Sequence, residues 1–514
     1  MYVPDQATAD CGQPVAITGA ALRFPGASDP WSFHQITVAG RQMFRELALA
    51  NDDKDPSRPA GAWRRPLAAL LDGEFRGLGR DDELTGGITE RHVLAAETAT
   101  AALADVPPLG RTLAPGRIGV FFADIPEPGT ADVGSWVRRQ LRTRAGGDHV
   151  AAAAGGREGA SHGSRLARAT LEDLVLGAAD VLGSVHGGVA RDGTGRPAGA
   201  GPGAGTGAAM NGAVLNGSAL SGAAVLPGTA PSGPACSLRA VAAACEALNS
   251  GQFDLVLAGG VAKGAGSWTG RRGLAASATA PVRVYDASPT GALPGEGCGV
   301  VVLMRAADAR AAGVPAYAEI AGWHYAGPAA TPRPVLATAY LRAQIDPAEI
   351  QLVEGHGAAT AADDLAELSA LAEILGPRAG DGGRCALGSV AANIGDTRAA
   401  AGIAALLKAA FAMTADIIPP ATGCVRPNQL LRGAGTPFRL PSAAEQWPQT
   451  PVQLAAVNSL GTAPYPDAPR SGPVHVVLRR EREAARRPGR RRKTAPPPAS
   501  ASGADGAPAQ PAES

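Results

Sequence analysis

Aromatic residues make up only 4% of this 514-residue chain. Its core therefore has to pack through aliphatic side chains, alanine and close backbone approach at glycine rather than through large rings. Cysteine is sparse too. Cys11, Cys236, Cys245, Cys298, Cys385 and Cys424 show no C-x-x-C spacing, which excludes structural zinc and a disulfide framework. Charge imbalance is missing: the formal net charge is +1, so no global field draws nucleic acid or a membrane surface. No unbroken apolar run reaches membrane-spanning length, since Ala399 to Met413 is short and carries Lys408. No basic-then-apolar leader opens the chain. The histidines are scattered without i, i+4 pairs, and the Gly-rich turns at 259–265 and 291–299 do not open a helix as G-x-G-x-x-G. Metal, nicotinamide and flavin sites are not expected. What remains is a reduced, cytoplasmic, soluble protein, long enough for two packed units or one large duplicated fold.

The most informative stretch runs from Pro231 to Val261. Gly233-Pro234 breaks whatever precedes it, and Leu238, Val241, Ala242, Cys245 and Leu248 recur at the spacing of a buried helix face. Asn249-Ser250-Gly251 stops that helix, and Phe253 to Ala258 reads as a buried strand. Cys236 falls at the helix start, where backbone N–H groups and the helix dipole favour a thiolate. Cys245, in mid-helix, reads as a small buried hydrophobe, the commoner fate of a free cysteine.

Elsewhere strands alternate with helices. Val15–Gly19, Arg117–Ala123, Val300–Met304, Tyr317–Trp323, Ile350–Glu354, Cys385–Val390, Gln453–Asn458 and Val474–Leu478 read as strands. Residues 88–106 read as a helix with Val93, Leu94, Ala96, Thr100 and Leu103 inward. A second helix carries Leu365, Leu368, Leu371 and Ile374, and a long apolar one ends near Met413. The alternation argues for an α/β layered fold. Residues 145–230 are Gly/Ala-biased and read as a flexible insertion, and from 481 a basic then Pro/Ala-rich tail reads as disordered.

Three strand-to-loop turns carry chemistry-bearing residues: Cys236, His356 in GHGAAT, and Asp396 in NIGD. Strand ends are where α/β sheets place ligands and catalysis. A lone histidine after a strand is more often structural, but the three together are harder to dismiss.

The order RFPGA, PACS, LPGEG, VEGHGAAT and NIGDTRAAAGIAALLKAAFAM resembles the β-ketoacyl synthases of polyketide and fatty-acid assembly. The resemblance spans roughly residues 13–480 apart from the insertion. It implies a thiolase-like duplicated fold, layered α-β-α-β-α, with a lead-in at 1–12, one half at 13–310, its pseudo-symmetric counterpart at 311–480 and the tail at 481–514. It also implies a homodimer, or a heterodimer with another ketosynthase. Cys236 matches the nucleophile that accepts an acyl chain from the phosphopantetheine of an acyl-carrier protein. The oxyanion hole is expected from its backbone N–H and one near Leu460. His356 matches the first of two family histidines. Asp364 and Glu367 match acidic positions expected to be structural.

Departures from the pattern narrow the chemistry. The second family histidine is Asp396, the lysine five residues before it is Ala391, and the gating phenylalanine is Leu460. Decarboxylative condensation passes through an enolate that two imidazoles would stabilise by donating hydrogen bonds, and an ionised Asp396 donates none. Three functions follow. The first, favoured by residue chemistry, is acyl transfer without decarboxylation, with Cys236, His356 and Asp396 as a triad-like set. The second is a decarboxylating 3-oxoacyl synthase with an atypical site. The third is a non-catalytic, chain-length-factor-like partner subunit. Asp396 within hydrogen-bond reach of His356 would support the triad, and an Asp396 turned away would favour the partner subunit.

Overall fold

The computed structural model describes residues 12–46, 67–71, 90–107, 109, 117–124, 133, 137, 235–263, 280–378, 383–433, 435–461 and 471–482. The expected insertion at 145–230, Gly233-Pro234 and the tail after 482 lie outside the described residues.

Ten strands form the main sheet: β1 (Val15–Arg23), β2 (Ile118–Ala123), β3 (Leu255–Ala262), β4 (Gly297–Arg305), β5 (Glu319–Tyr325), β6 (Leu352–Glu354), β7 (Cys385–Gly388), β8 (Phe438–Arg439), β9 (Val452–Ser459) and β10 (Val474–Glu481). Their spatial order is β8-β7-β6-β9-β10-β5-β1-β4-β3-β2. The seam between the halves is the short antiparallel pairing of β1 with β5, Val15 against Ile320. Outward from that seam the two sides repeat one pattern. β1–β4 and β4–β3 are antiparallel and β3–β2 parallel. β5–β10 and β10–β9 are antiparallel and β9–β6 parallel. This is the duplication of a thiolase-like α/β fold.

Helices cover both faces. α1 spans Pro30–Val38, α2 Glu90–Asp105, α3 Cys236–Asn249, α4 Ala306–Ala311, α5 Pro332–Ala343, α6 Ala361–Leu375, α7 Ala391–Ile394 and α8 Ala401–Ala415. α3 and α8 share one core with strands from both halves, including Val256 and Ala258 of β3 and Ala455 and Val457 of β9. α2 packs on the opposite face of the first half against Val120, Leu255, Val300 and Val302. α5 and α6 do the same for the second half through Leu336, Leu368, Leu371, Val353 and Val477. α8 and the turn before it (Arg398–Ala415) are apolar and long enough to cross a membrane by length and composition, yet 83% of that stretch is buried within the protein. It is apolar all round because it is surrounded all round.

Sequence periodicity located most elements within a few residues. α5 was not expected: its stretch PRPVLATAYLRA mixes buried Val335, Leu336, Ala339 and Tyr340 with polar neighbours too weakly to stand out. On α2, Val93, Leu94, Ala96 and Leu103 are buried as expected, and Thr100 is half-buried. On α6, Leu368 and Leu371 are buried whereas Leu365 faces solvent, one position outside the apolar stripe.

Candidate active site

α3 begins at Cys236, so the thiol stands on the first residue of a fourteen-residue helix. Cys236 is 5% exposed and packs with Ala123, at the end of β2, and Ala399. Cys245 is wholly buried, and burial pushes its thiol well above the ordinary range, with Glu246 adding to the effect. It is core, as expected from its place on the helix.

The first turn of α3 is wedged against the segment that leads into α8. Ser237 Oγ accepts a hydrogen bond from the Ile403 backbone N–H at 2.9 Å. Glycines make that approach possible. A Cβ on Gly260 would stand 2.4 Å from the Ala399 carbonyl oxygen, and one on Gly402 would stand 2.7 Å from the Leu238 nitrogen. Ser237 gave no signal in the sequence because its partner is 166 residues away.

His356 follows β6 on a turn built around two buried carboxylates. Glu367 accepts from the backbone N–H of His356 at 2.7 Å and of Gly357 at 3.0 Å. It also accepts from the Tyr285 hydroxyl at 3.0 Å and Asn458 Nδ2 at 2.7 Å. Asp364 accepts from the backbone N–H of Tyr285 and Ala359. Burial raises the Asp364 carboxyl to about 7 despite the Tyr285 bond, with Glu367 adding to the rise. The two acidic residues thus clamp the HGAAT loop, the structural part expected of them. Tyr285, which no sequence motif marks, completes the clamp from a left-handed backbone at φ 55°.

Behind this turn Glu354 and Lys408 form an ion pair at 3.0 Å, with side chains 1% and 2% exposed. Burial raises the Glu354 carboxyl, and Lys408 opposes the shift. A lysine inside an apolar helix was the available signal, because a buried charge requires a partner.

One cavity gathers the candidate residues of the second half. Its walls include His356, Asp396, Asn458 and Ser459, together with apolar groups such as Val282, Leu293, Val390 and Ala405. Ala391, where the family has lysine, also lines it. The His356 Nε2 atom is buried without a hydrogen-bond partner. Asp396 does not meet it by a hydrogen bond: its Oδ1 accepts instead from the Arg398 backbone N–H at 2.8 Å. The cavity therefore brings His356 and Asp396 together, but the hydrogen-bonded pair that a triad requires is absent among the described residues. Cys236 stands beside Ala399 rather than on the wall of this cavity. Leu460 is buried next to Ser459, and the Gly461 carbonyl accepts from the Ser471 N–H at 3.1 Å.

The duplicated sheet around two central helices defines a thiolase-like α/β fold, and a cysteine opens one of those helices. Residues 185–309 match the β-ketoacyl synthase N-terminal domain and residues 321–424 the β-ketoacyl synthase C-terminal domain. Over those two segments the chain matches the β-ketoacyl synthase family, and its curated relatives are polyketide synthases. It is 34% identical over 249 residues to the phthioceranic/hydroxyphthioceranic acid synthase of Mycobacterium tuberculosis, covering 44% of this chain and 11% of that protein. It is 29% identical over 477 residues to a phenolphthiocerol/phthiocerol polyketide synthase of the same species, covering 87% of this chain and 27% of that one. The chain thus spans well under a third of these relatives. The oxazolomycin ketosynthase domain of Streptomyces albus has the same fold, with a TM-score of 0.54 and 22% identity over 91% of this chain and 95% of that one. So has the module 6 ketosynthase of the bacillaene synthase of Bacillus subtilis, with a TM-score of 0.60 and 20% identity over 91% of this chain and 72% of that one.

Proposed function

We propose that this chain accepts an acyl group on Cys236 from the pantetheine thioester of a carrier protein and passes it to a thiol, hydroxyl or amine without decarboxylation. The Cys236 thiol, at the start of α3 where the helix dipole favours the anion, loses its proton through water to His356 Nε2, which is unpartnered, and the thiolate attacks the thioester carbonyl carbon. The tetrahedral oxyanion is received by the Cys236 backbone N–H and one near Leu460. Collapse expels the pantetheine sulfur, which takes the proton from His356. Transfer to the acceptor repeats these steps in reverse order.

The observation that carries this reading is Asp396 on the cavity wall beside His356, holding a backbone N–H and offering an acceptor where condensation needs a donor. At about 4 Å and an effective dielectric of about 20, an ionised carboxylate opposes an enolate by about 4 kcal/mol. That is about three orders of magnitude in rate.

A second reading, the non-catalytic partner subunit, draws on the burial of Cys236 against Ala399 and the missing His356–Asp396 hydrogen bond. Family membership supports the third, a decarboxylating synthase. One experiment separates them. The protein is incubated with acyl-loaded carrier protein for intact mass, and in parallel with malonyl-loaded carrier protein for carbon dioxide release. An adduct on Cys236 without carbon dioxide supports transfer, and carbon dioxide with a two-carbon-extended product supports condensation. A stable heterodimer with a second ketosynthase whose activity survives Cys236→Ala supports the partner subunit.

A further inference from the structure

We infer that Asp396 is a positioning residue that governs access to Cys236, acting through Arg398 and Ala399 rather than through His356. The backbone of Asp396 is fixed from both sides. Its N–H donates to the Leu293 carbonyl at 2.8 Å and its carbonyl accepts from the Gly295 N–H at 3.0 Å. Close approach leaves no slack there, since a Cβ on Gly295 would stand 2.2 Å from the Ile394 carbonyl oxygen. From this anchored position the carboxylate reaches forward two residues and accepts from the Arg398 N–H at 2.8 Å. Aspartate makes such turns readily, because its short side chain can close on the backbone two residues on.

Arg398 occupies a left-handed backbone, φ 48°, which a residue with a Cβ seldom adopts unless its surroundings hold it there. The bond from Asp396 is one such constraint. The consequence falls on the next residue. Ala399 is fully buried and packs directly against Cys236 and Ala123. Its carbonyl rests against Gly260, and four residues later the Ile403 N–H closes onto Ser237 beside the thiol. Release of Arg398 from φ 48° redirects the chain at Ala399 and withdraws the cover from Cys236. The carboxylate at 396 is thereby linked to the thiol through three consecutive residues of backbone.

The position needs an oxygen acceptor, not a charge, and this sets the test. Cys236 alkylation by iodoacetamide is followed in the full chain by intact mass, with peptide mapping to separate it from the other cysteines. Asp396→Asn keeps an Oδ1 acceptor and is expected to keep the wild-type alkylation rate. Asp396→Ala removes the bond, and a lost hydrogen bond shifts a local opening equilibrium by about tenfold, so alkylation should accelerate by about that factor. Ala399→Gly, with the carboxylate untouched, should also accelerate it, and this arm decides the matter if Asp396→Ala fails to fold. The proposal is overturned if Asp396→Asn behaves as Asp396→Ala, if both slow the reaction as loss of a charge partner would, or if Ala399→Gly leaves the rate unchanged. The consequence for catalysis rests on Cys236 being the acyl acceptor. The alkylation assay uses no acyl donor, so failure of one proposal is distinguishable from failure of the other.

Discussion

Glu367 Oε1 accepts a 2.7 Å hydrogen bond from the His356 backbone N–H, and the same oxygen accepts a second from Asn458 Nδ2, also at 2.7 Å. One buried carboxylate on α6 thus ties the histidine turn after β6 to the cavity-lining end of β9. Its other oxygen holds the Gly357 N–H and the Tyr285 hydroxyl.

Removing that carboxylate strands four buried donors at once. Each unsatisfied donor costs roughly 1–3 kcal/mol, with partial relief by relaxation, so Glu367→Ala should lose about 4 kcal/mol or more. Glu367→Gln keeps one acceptor oxygen and should lose less. Urea denaturation midpoints check the order of the two variants, and equal losses would contradict the clamp.

The Glu354–Lys408 pair makes a second, separate demand. Lys408→Met leaves Glu354 charged or forces it to take up a proton in a buried site, at a cost of about 3–5 kcal/mol. Pairing it with Glu354→Gln should recover most of that loss, because neither buried charge then remains. A double-mutant cycle on unfolding free energy measures the coupling, and additive losses would show that the pair does not act as a unit.

The histidine contribution to stability should fall as pH drops below about 6.5, the ordinary histidine value. Burial lowers His475 to about 3, and burial with help from Arg342 lowers His324 to about 4. Both folded values lie below the unfolded one, so between about pH 6.5 and 4 the unfolded chain binds more protons and stability rises with pH. Asp364 has the opposite sign. Its folded value of about 7 lies above the unfolded 3.8, so its contribution weakens as pH rises through that window. Burial also lowers His34 and raises Glu246 and Glu354, so the histidine contribution is read as the difference between the wild type and His475→Gln. Thermal midpoints across about pH 4–7 test this, and His475→Gln should flatten the profile.

The glycines around the thiol should be intolerant. Gly402→Ala places a methyl 2.7 Å from both the Cβ and the nitrogen of Leu238, and the overpacking should cost about 1–3 kcal/mol. Because it pushes on the first turn of α3, any acylation of Cys236 should fall with it, whereas Cys245→Ala, one deletion within the core, should leave acylation at Cys236 intact. Intact mass after incubation with an acyl thioester reads both.

The sequence by itself determined the layers of the fold. Apolar runs with β-branched residues marked β3, β4 and β10, and the 3.6-residue period marked α3 and α8, because burial of those faces leaves little choice of element. It also singled out Cys236, His356 and Asp396, since each stands on a glycine-flanked turn beside a regular element. Lys408 counted there only against a membrane span, and its need for a buried partner went unread. Only the tertiary structure decided which groups meet. It assigned Lys408 to Glu354, placed four donors on Glu367 and brought Ser237 to Ile403, all contacts between distant segments that local pattern cannot encode. It also gave Asp396 a partner two residues away instead of the histidine forty residues earlier. The anchored 293–295 turn fixes where that carboxylate begins, and a short side chain bonds what lies within its reach. From the residues alone, Asp396 was a missing donor and a candidate triad member. In the folded protein its carboxylate caps the Arg398 N–H on the wall of the histidine cavity.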